Sequence, residues 1–433
     1  MNITLLTDSI KILYKKYLEC SGICIDTRKI KEGDLFFALK GPNFDGNQYA
    51  QQAIDNGAKY AVVNDTEVSI NSSFILVDHV LETLQQLAAF HRNHFTGHVL
   101  AITGSNGKTT TKELITRVLG TSFKVQSTVG NLNNHIGVPL TLLSMDSKLD
   151  IAIVEMGANH LGEIAQYCKI ARPTHGIITN IGTAHIGEFG GRENLIRAKS
   201  ELFDYLIKNA GVTFVNKDDD VLYNMSKRFR SPLFFPDINC TLKNVSPFVQ
   251  YFDQDGIEHQ THLVGKYNFM NASAALAIGE YFKVDMSKGY EAIDSYAPDN
   301  NRSQVMKFGS NTIILDAYNA NPDSTKAALE YLSSFENTKK IAMLGDMKEL
   351  GAYSKKNHLE IFEFVKSKEI SEAFFVGEEY QKAITDKRSD FFSVVDELIS
   401  FLKENPISDS IVLVKGSRSM TMEKLTEIKE IWN

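Results

Sequence analysis

The chain has 433 residues, length for roughly two to four domains rather than one. Its 46 Lys and Arg against 53 Asp and Glu leave a net charge of -7, which argues against a general nucleic-acid binder but leaves room for small anions held by a few lysines and amides. No run approaches the roughly 20 apolar residues of a membrane helix, so membrane insertion is not expected. The first twenty residues lack the apolar core and small-residue cleavage site of a signal peptide. A cytoplasmic protein is expected, with Cys20, Cys24, Cys168 and Cys240 as reduced thiols.

Residues 1–80 alternate short strand-like runs (GDLFFALKG, AKYAVVND, SSFILVD) with one helical stretch, NQYAQQAIDNGA, and predict a small α/β domain. VLETLQQLAAFHRNHF then carries Leu81, Leu84, Leu87 and Ala88 at helical spacing and reads as a connecting helix. Residues 81–300 predict a central domain. Its apolar runs HVLAITG, LDIAIVEMG, HGIITNIG and GVTFVN alternate with helical patterns, as in a parallel sheet with crossover helices. LFFPDINC, FVQYFD, the turn QDG and IEHQTHLVG read as antiparallel strands added to it. Past the polar boundary SYAPDNNRSQ, residues 301–433 predict a third, Rossmann-like α/β domain. There NTIILDAYN, KKIAMLGD, EAFFVG and SIVLVKGS are each followed by a helix.

Chemistry concentrates at strand ends. AITGSNGKTTTKEL joins a strand candidate, Val99 to Thr103, to a helix opening at Lys108. Gly104 and Gly107 permit close backbone approach to an anion, with Ser105 and Asn106 between them. Lys108 can reach phosphates, and Thr109 or Thr110 can hold Mg²⁺. The usual phosphate loop carries a glycine where this chain has Ile102, so a tight strand-to-helix turn is the alternative. Glu155, after an apolar run, is a candidate for the second magnesium ligand of a triphosphate site. His185 follows a strand inside a glycine-bounded loop. Lys199, beside Arg197 in LIRAKSEL, reads from these residues alone as a solvated helix face. Asn131, Asn133 and Asn134 are turn formers that can also bond phosphate or amide groups. Asp316, Tyr318, Asn319 and Asn321, the GDMKELG run, and Lys415 to Arg418 put polar residues at three successive strand ends, a ligand-facing rim.

Taken in order, TGSNGKTTTKE, GNLNNHIGVPLTL, VEMGANHLGEI, TNIGTAHIGEFG, RAKSE, NRSQ, DAYNANPDS, LGDMKELG and VKGSRSM resemble the Mur ligases of peptidoglycan synthesis nearly end to end. GNLNN with NANPDS, and no DNPR-type signature, is similar to the member adding D-alanyl-D-alanine to UDP-N-acetylmuramoyl-tripeptide. The resemblance implies ATP-driven amide formation through an acyl phosphate by a monomer. It implies that the Gly104–Thr109 loop and Lys108 bind ATP phosphates. Thr109, Glu155 and His185 would serve two Mg²⁺ ions, and carbamylated Lys199 would support the second. Asn268, Asn271 and Arg302 would lie near the adenosine, and Asp316 at the ribose or positioning the C-terminal domain. Tyr318, Asn319 and Asn321, with Asn133 and Asn134, fall on the substrate side. Thr27, Arg28, Lys40, Asp45 and Gly46 would contact the UDP-sugar. Asn47 and Ala317 depart from the family's usual histidine and serine. Another ligase of the same superfamily, folate-type or acting on a different muramyl peptide, and a non-catalytic nucleotide-binding partner or motor-type ATPase are the rival readings. The third residue of the peptide, lysine or diaminopimelate, stays open.

Overall fold

The computed structural model describes residues 3–146, 148–237, 240–384 and 390–433. The N-terminal unit is a four-stranded parallel sheet in the order Ile23–Cys24, Leu35–Phe37, Tyr60–Val63, Phe74–Leu76. A helix absent from the sequence reading, Ile3–Leu18, precedes it. Ile10, Leu13 and Tyr14 are buried at i, i+3 and i+4, and Lys15 and Lys16 complement the dipole at its C-terminal end. Tyr14 packs on the expected connecting helix, Val80–Arg92, bonding His91 Nδ1 at 3.1 Å and stacking on His94 at 4.8 Å.

The helix expected over residues 47–58 is shorter and begins as a 3-10 turn, Gly46–Tyr49, before Ala50–Asp55 becomes α-helical. Asp45 caps the turn. A Cβ on Gly46 would lie 2.5 Å from Leu39 O. Asn47 explains its own departure from histidine. Only 5% exposed, it donates from Nδ2 to Asp45 Oδ1 and Asn64 Oδ1 (2.8 Å each) and accepts Asn64 N–H at 3.1 Å. It ties the Asp45 turn to the end of strand Tyr60–Val63.

The central sheet is six-stranded and wholly parallel, in the order Leu233–Phe235, Val212–Asn216, His175–Ile178, His98–Thr103, Ile151–Glu155, Val125–Ser127. Val99 to Ile102 are fully buried. Val99 and Ala101 enter one core, Leu100 and Ile102 the other, as the strand's twofold alternation requires. Residues 233–235 correct the sequence reading: they form a parallel edge strand because Phe235 is buried beside Phe214 in the central core. The antiparallel addition is confined to Cys240–Asn244, Gln250–Asp253 and Glu258–Gln260, with Gly256 (φ +77°) in the expected turn.

The third sheet runs Gln304–Phe308, Asn311–Asp316, Ser410–Lys415, Lys339–Gly345, Glu372–Val376, Phe391–Phe392. Its first pair is an antiparallel hairpin that the sequence reading did not separate from the boundary; the other pairs are parallel. The helix expected after SIVLVKGS is replaced by short 3-10 turns, Arg418–Met420, Met422–Glu427 and Lys429–Ile431, because Thr421 adopts φ +50° and interrupts the first turn. The four cysteines are free. Among the described residues no helix is long and apolar enough to cross a membrane. Asn47→Ala should lower the free energy of unfolding by about 1–3 kcal/mol, because it leaves the Asn64 N–H unpaired; a denaturant titration against the parent measures this.

Candidate active site

Parallel strands deliver their C-terminal ends to one edge, and the site is built there. Strand His98–Thr103 runs into Gly104 (φ +141°), and Gly107 (φ +78°) precedes helix Lys108–Gly120. A Cβ on Gly104 would lie 2.0 Å from Thr179 Oγ1, and one on Gly107 2.6 Å from Asn271 Oδ1, so neither position tolerates a side chain. Ile102, where a longer loop would have glycine, is a core residue of the strand paired with Glu155. The loop's shape is set by the neighbouring strand end, which the sequence reading did not single out. Ser105 N–H donates to Asn180 O (3.1 Å) and Asn106 N–H to Asn180 Oδ1 (3.0 Å), while Asn106 O accepts from Thr179 Oγ1 (2.6 Å). Lys108 Nζ curls back onto Gly104 O (2.8 Å) and Ser105 O (3.2 Å), and burial pulls its pKa below the usual lysine value. Its protons therefore point into the loop where an anion would sit.

Glu155 ends the adjacent strand and is 1% exposed. Its Oε1 accepts from Asn133 Nδ2 (2.8 Å) and Thr109 Oγ1 (3.3 Å). Its Oε2 is buried with no hydrogen bond among the described residues, 3.8 Å from Lys112 Nζ. A half-satisfied buried carboxylate beside a threonine hydroxyl is a donor set that fits a divalent cation. Thr110 lines the same cleft. Asn134 also lines it, and its Oδ1 accepts from Gly137 N–H at 2.9 Å and Ile136 N–H at 3.1 Å at the start of the following helix.

His185, at φ +59°, meets two carboxylates absent from the sequence reading: Glu349 Oε2 at 2.9 Å and Glu188 Oε2 at 3.1 Å from Nδ1. The three donor atoms lie within 4.8 Å of one another. Glu349 comes from the C-terminal domain, and its bond to His185 holds its carboxyl below the usual range. The only sequence signal for it was the GDMKELG strand end.

Lys199 contradicts the solvated-face reading: it is 1% exposed on helix Arg192–Lys208. Its Nζ lies 3.5 Å from Ala158 O and 5.4 Å over the Phe189 ring. The nearby acids are turned elsewhere, Glu201 to the Gly162 and Ala165 N–H groups and Glu163 to those of Asn159 and His160. Burial first, then Lys108, drive its pKa well below that of a free lysine. The neutral amine this favours is the form that reacts with CO₂.

The whole cleft measures about 1270 Å³, and residues of the C-terminal domain line its remaining side. Asn268 and Asn271 are buried on helix Lys266–Tyr281 and bond each other (2.9 Å), while Asn271 Oδ1 accepts from Thr111 Oγ1 (3.0 Å). Arg302 lies 3.5 Å over the Tyr318 ring. Asp316 is held by the buried Lys415 Nζ (2.5 Å) and by Ser303 N–H (3.0 Å), and Lys415 also donates to Asn319 O (3.1 Å). Ala317 is fully buried in the C-terminal core, which is why a small apolar residue suits that position.

Models of the Mur ligase family, catalytic domain (residues 19–92), the Mur ligase middle domain (102–279) and the Mur ligase, glutamate ligase domain (301–418) all match the chain. The UDP-N-acetylmuramoyl-tripeptide--D-alanyl-D-alanine ligase of Bacillus subtilis is 36% identical, the match covering 94% of this chain and 92% of that one. The chain belongs to the Mur ligase family. The Escherichia coli ligase of the same name is 32% identical to this Mur ligase over 93% of this chain and 92% of its own. Two crystal structures share its fold. MurF from Acinetobacter baumannii has TM-score 0.84 and 29% identity, covering 98% of each chain. MurF ligase from Thermotoga maritima in complex with ADP has TM-score 0.83 and 28% identity, covering 96% of this chain and 98% of that one.

The N-terminal candidates of this Mur ligase do not line the cleft. Thr27 and Arg28 sit in a 3-10 turn where Arg28, 86% exposed at its side chain, forks onto Asp26 at 2.9 and 2.8 Å. Lys40 pairs with Asp45 at 2.9 Å on a small hairpin, with Gly46 next in the chain. Since the folded-state pKa of Lys199 is depressed, the unfolded chain binds more protons below pH 10.5, and stability contributed at this site rises with pH towards that value. In CO₂-free buffer, Lys199→Met should therefore unfold at a higher temperature than the parent at neutral pH, with the gain shrinking as pH rises; calorimetry over a pH series checks it.

Proposed function

We propose that this ATP-dependent ligase joins D-alanyl-D-alanine to UDP-N-acetylmuramoyl-tripeptide, as its curated relatives are named to do. The observation that carries the reading is a single cleft with the phosphate loop on one wall and the DAYNANPDS strand end on the other. Loop N–H groups and Lys108 hold the triphosphate, with Asn268, Asn271 and Arg302 on the adenosine side and Asp316 at the ribose. The peptide carboxylate attacks the γ-phosphorus, the bond to ADP breaks, and an acyl phosphate forms. The dipeptide amine then attacks the carbonyl carbon, loses a proton and expels phosphate. Mg²⁺ at Thr109 and Glu155, with a second ion supported by His185 and carbamylated Lys199, would neutralise charge between two anionic reactants. Tyr318, Asn319, Asn133 and Asn134 face the amide-forming side. Thr27, Arg28, Lys40, Asp45 and Gly46 take the UDP-sugar on a domain comprising residues 1–80, with nucleotide chemistry in 81–300 and closure by 301–433. The reading places a monomer in the cytoplasm.

The test is phosphate release. Phosphate should appear only when UDP-N-acetylmuramoyl-tripeptide, D-alanyl-D-alanine, ATP and Mg²⁺ are all present; release without the dipeptide would favour a motor-type ATPase, and release with a folate acceptor would move the substrate class. Lys199→Ala should lose about 100-fold or more of kcat and recover part of it in formate or acetate. Glu155→Ala should raise the Mg²⁺ concentration for half-maximal rate by about tenfold or more; an unchanged titration would return Glu155 to a purely structural role.

A further inference from the structure

The C-terminal domain touches the phosphate loop itself. Asn321 caps helix Pro322–Ser333 by accepting Ser324 N–H on Oδ1 (3.0 Å), and its Nδ2 donates across the domain boundary to Asn106 Oδ1 (2.6 Å). Two residues on, Asp323 Oδ2 accepts both the N–H (2.6 Å) and the hydroxyl (2.8 Å) of Thr183. The approach leaves no spare room. A Cβ on Gly182 would lie 2.5 Å from Asp323 Oδ2, and one on Gly187 2.4 Å from the Leu350 carbonyl carbon. Asn106 is already fixed on the central side, its N–H on Asn180 Oδ1 (3.0 Å) and its carbonyl taking Thr179 Oγ1 (2.6 Å) and Asn180 Nδ2 (3.0 Å). Its side-chain oxygen is the free end presented to the other domain.

We propose that Asn321 and Asp323 are docking residues through which the C-terminal domain reads the shape of the phosphate loop, and so are positioning residues for ligation. The domain seats only while the loop presents the Asn106 side-chain oxygen outward. The Asn321 carboxamide bonds protein at both ends, Oδ1 to the Ser324 N–H and Nδ2 to Asn106, so it links the two domains. Asp323 sits in the helix's first turn, where the dipole favours a carboxylate, and its Oδ2 is turned to Thr183. The inference rests on the ATP-dependent ligase reading for its catalytic consequence, but the docking itself is measurable without any acceptor.

Asn321→Ser separates the two jobs of the residue. Serine caps a helix about as well as asparagine but is too short to reach Asn106. The variant should melt close to the parent. Its kcat for phosphate release should fall about tenfold, the scale of one net hydrogen bond, while KM for ATP moves less than about twofold. X-ray scattering with a non-hydrolysable ATP analogue should give a larger radius of gyration than the parent. In the double variant with Asn106→Ala, the losses in kcat should not multiply, because both changes remove the same bond. Thr183→Val, which leaves the cap untouched and keeps the volume, should show the same scattering change to a smaller degree, and it carries the comparison should Asn321→Ser fold poorly. Parent-like scattering and kcat in both single variants, or multiplicative losses in the double variant, overturn the proposal. A parent without phosphate release but with the scattering difference intact would refute the substrate assignment alone.

Discussion

Burying charge without full compensation is costly, and this protein does so at Glu155, in the wall of the cleft, and at Lys199, on helix Arg192–Lys208. Glu155 has one carboxylate oxygen taking two hydrogen bonds and the other taking none among the described residues, 3.8 Å from Lys112 Nζ. Lys199 has its amine against a carbonyl and a phenyl ring, with neighbouring acids engaged elsewhere. Asp316 and Lys415 form a contrasting pair. They lie 99 residues apart in sequence, but salt bridge, backbone N–H and backbone carbonyl complete one another. Incomplete compensation sets Glu155 and Lys199 apart from this pair, whose charges are balanced in place.

What permits the arrangement is the stiffness of the surroundings. Both groups stand on elements whose apolar faces are fully buried: strand Ile151–Glu155 between two cores, and helix Arg192–Lys208 through Leu195, Ala198, Leu202 and Phe203. The phosphate loop has no hydrophobic support of its own. It is shaped by glycine conformations and by hydrogen bonds from Thr179 and Asn180, just past the end of the neighbouring strand. A rigid sheet edge thus carries a loop whose geometry is specified almost wholly by polar contacts, and such contacts can respond to a bound anion.

Much of this was legible in the chain. The loop, Glu155 and His185 each follow an apolar run, and runs buried on both faces announce parallel strands. The connecting helix was visible through Leu84, Leu87 and Ala88. Other features were not legible, for identifiable reasons. Leu233–Phe235 looks like any short β-prone run, and whether it pairs parallel or antiparallel depends on which core accepts Phe235. Lys199 sits among charged neighbours in sequence, and only the packing of its helix shows that its side chain points inward. Glu188 and Glu349 are ordinary acids until folding brings them from two domains to one histidine.

The sequence by itself determined the three alternating α/β units, the strand-end positions of the phosphate loop and its acids, and the family, because these rest on local periodicity and on residues adjacent in the chain. Only the tertiary structure decided which charges are buried, which side chains meet across the domain boundary, and that the N-terminal candidates lie away from the nucleotide cleft. Desolvation and hydrogen bonding depend on neighbours contributed from far along the chain. Lys199 beside Ala158, Asn106 beside Asn321 and His185 beside Glu349 are all pairs that no local pattern encodes.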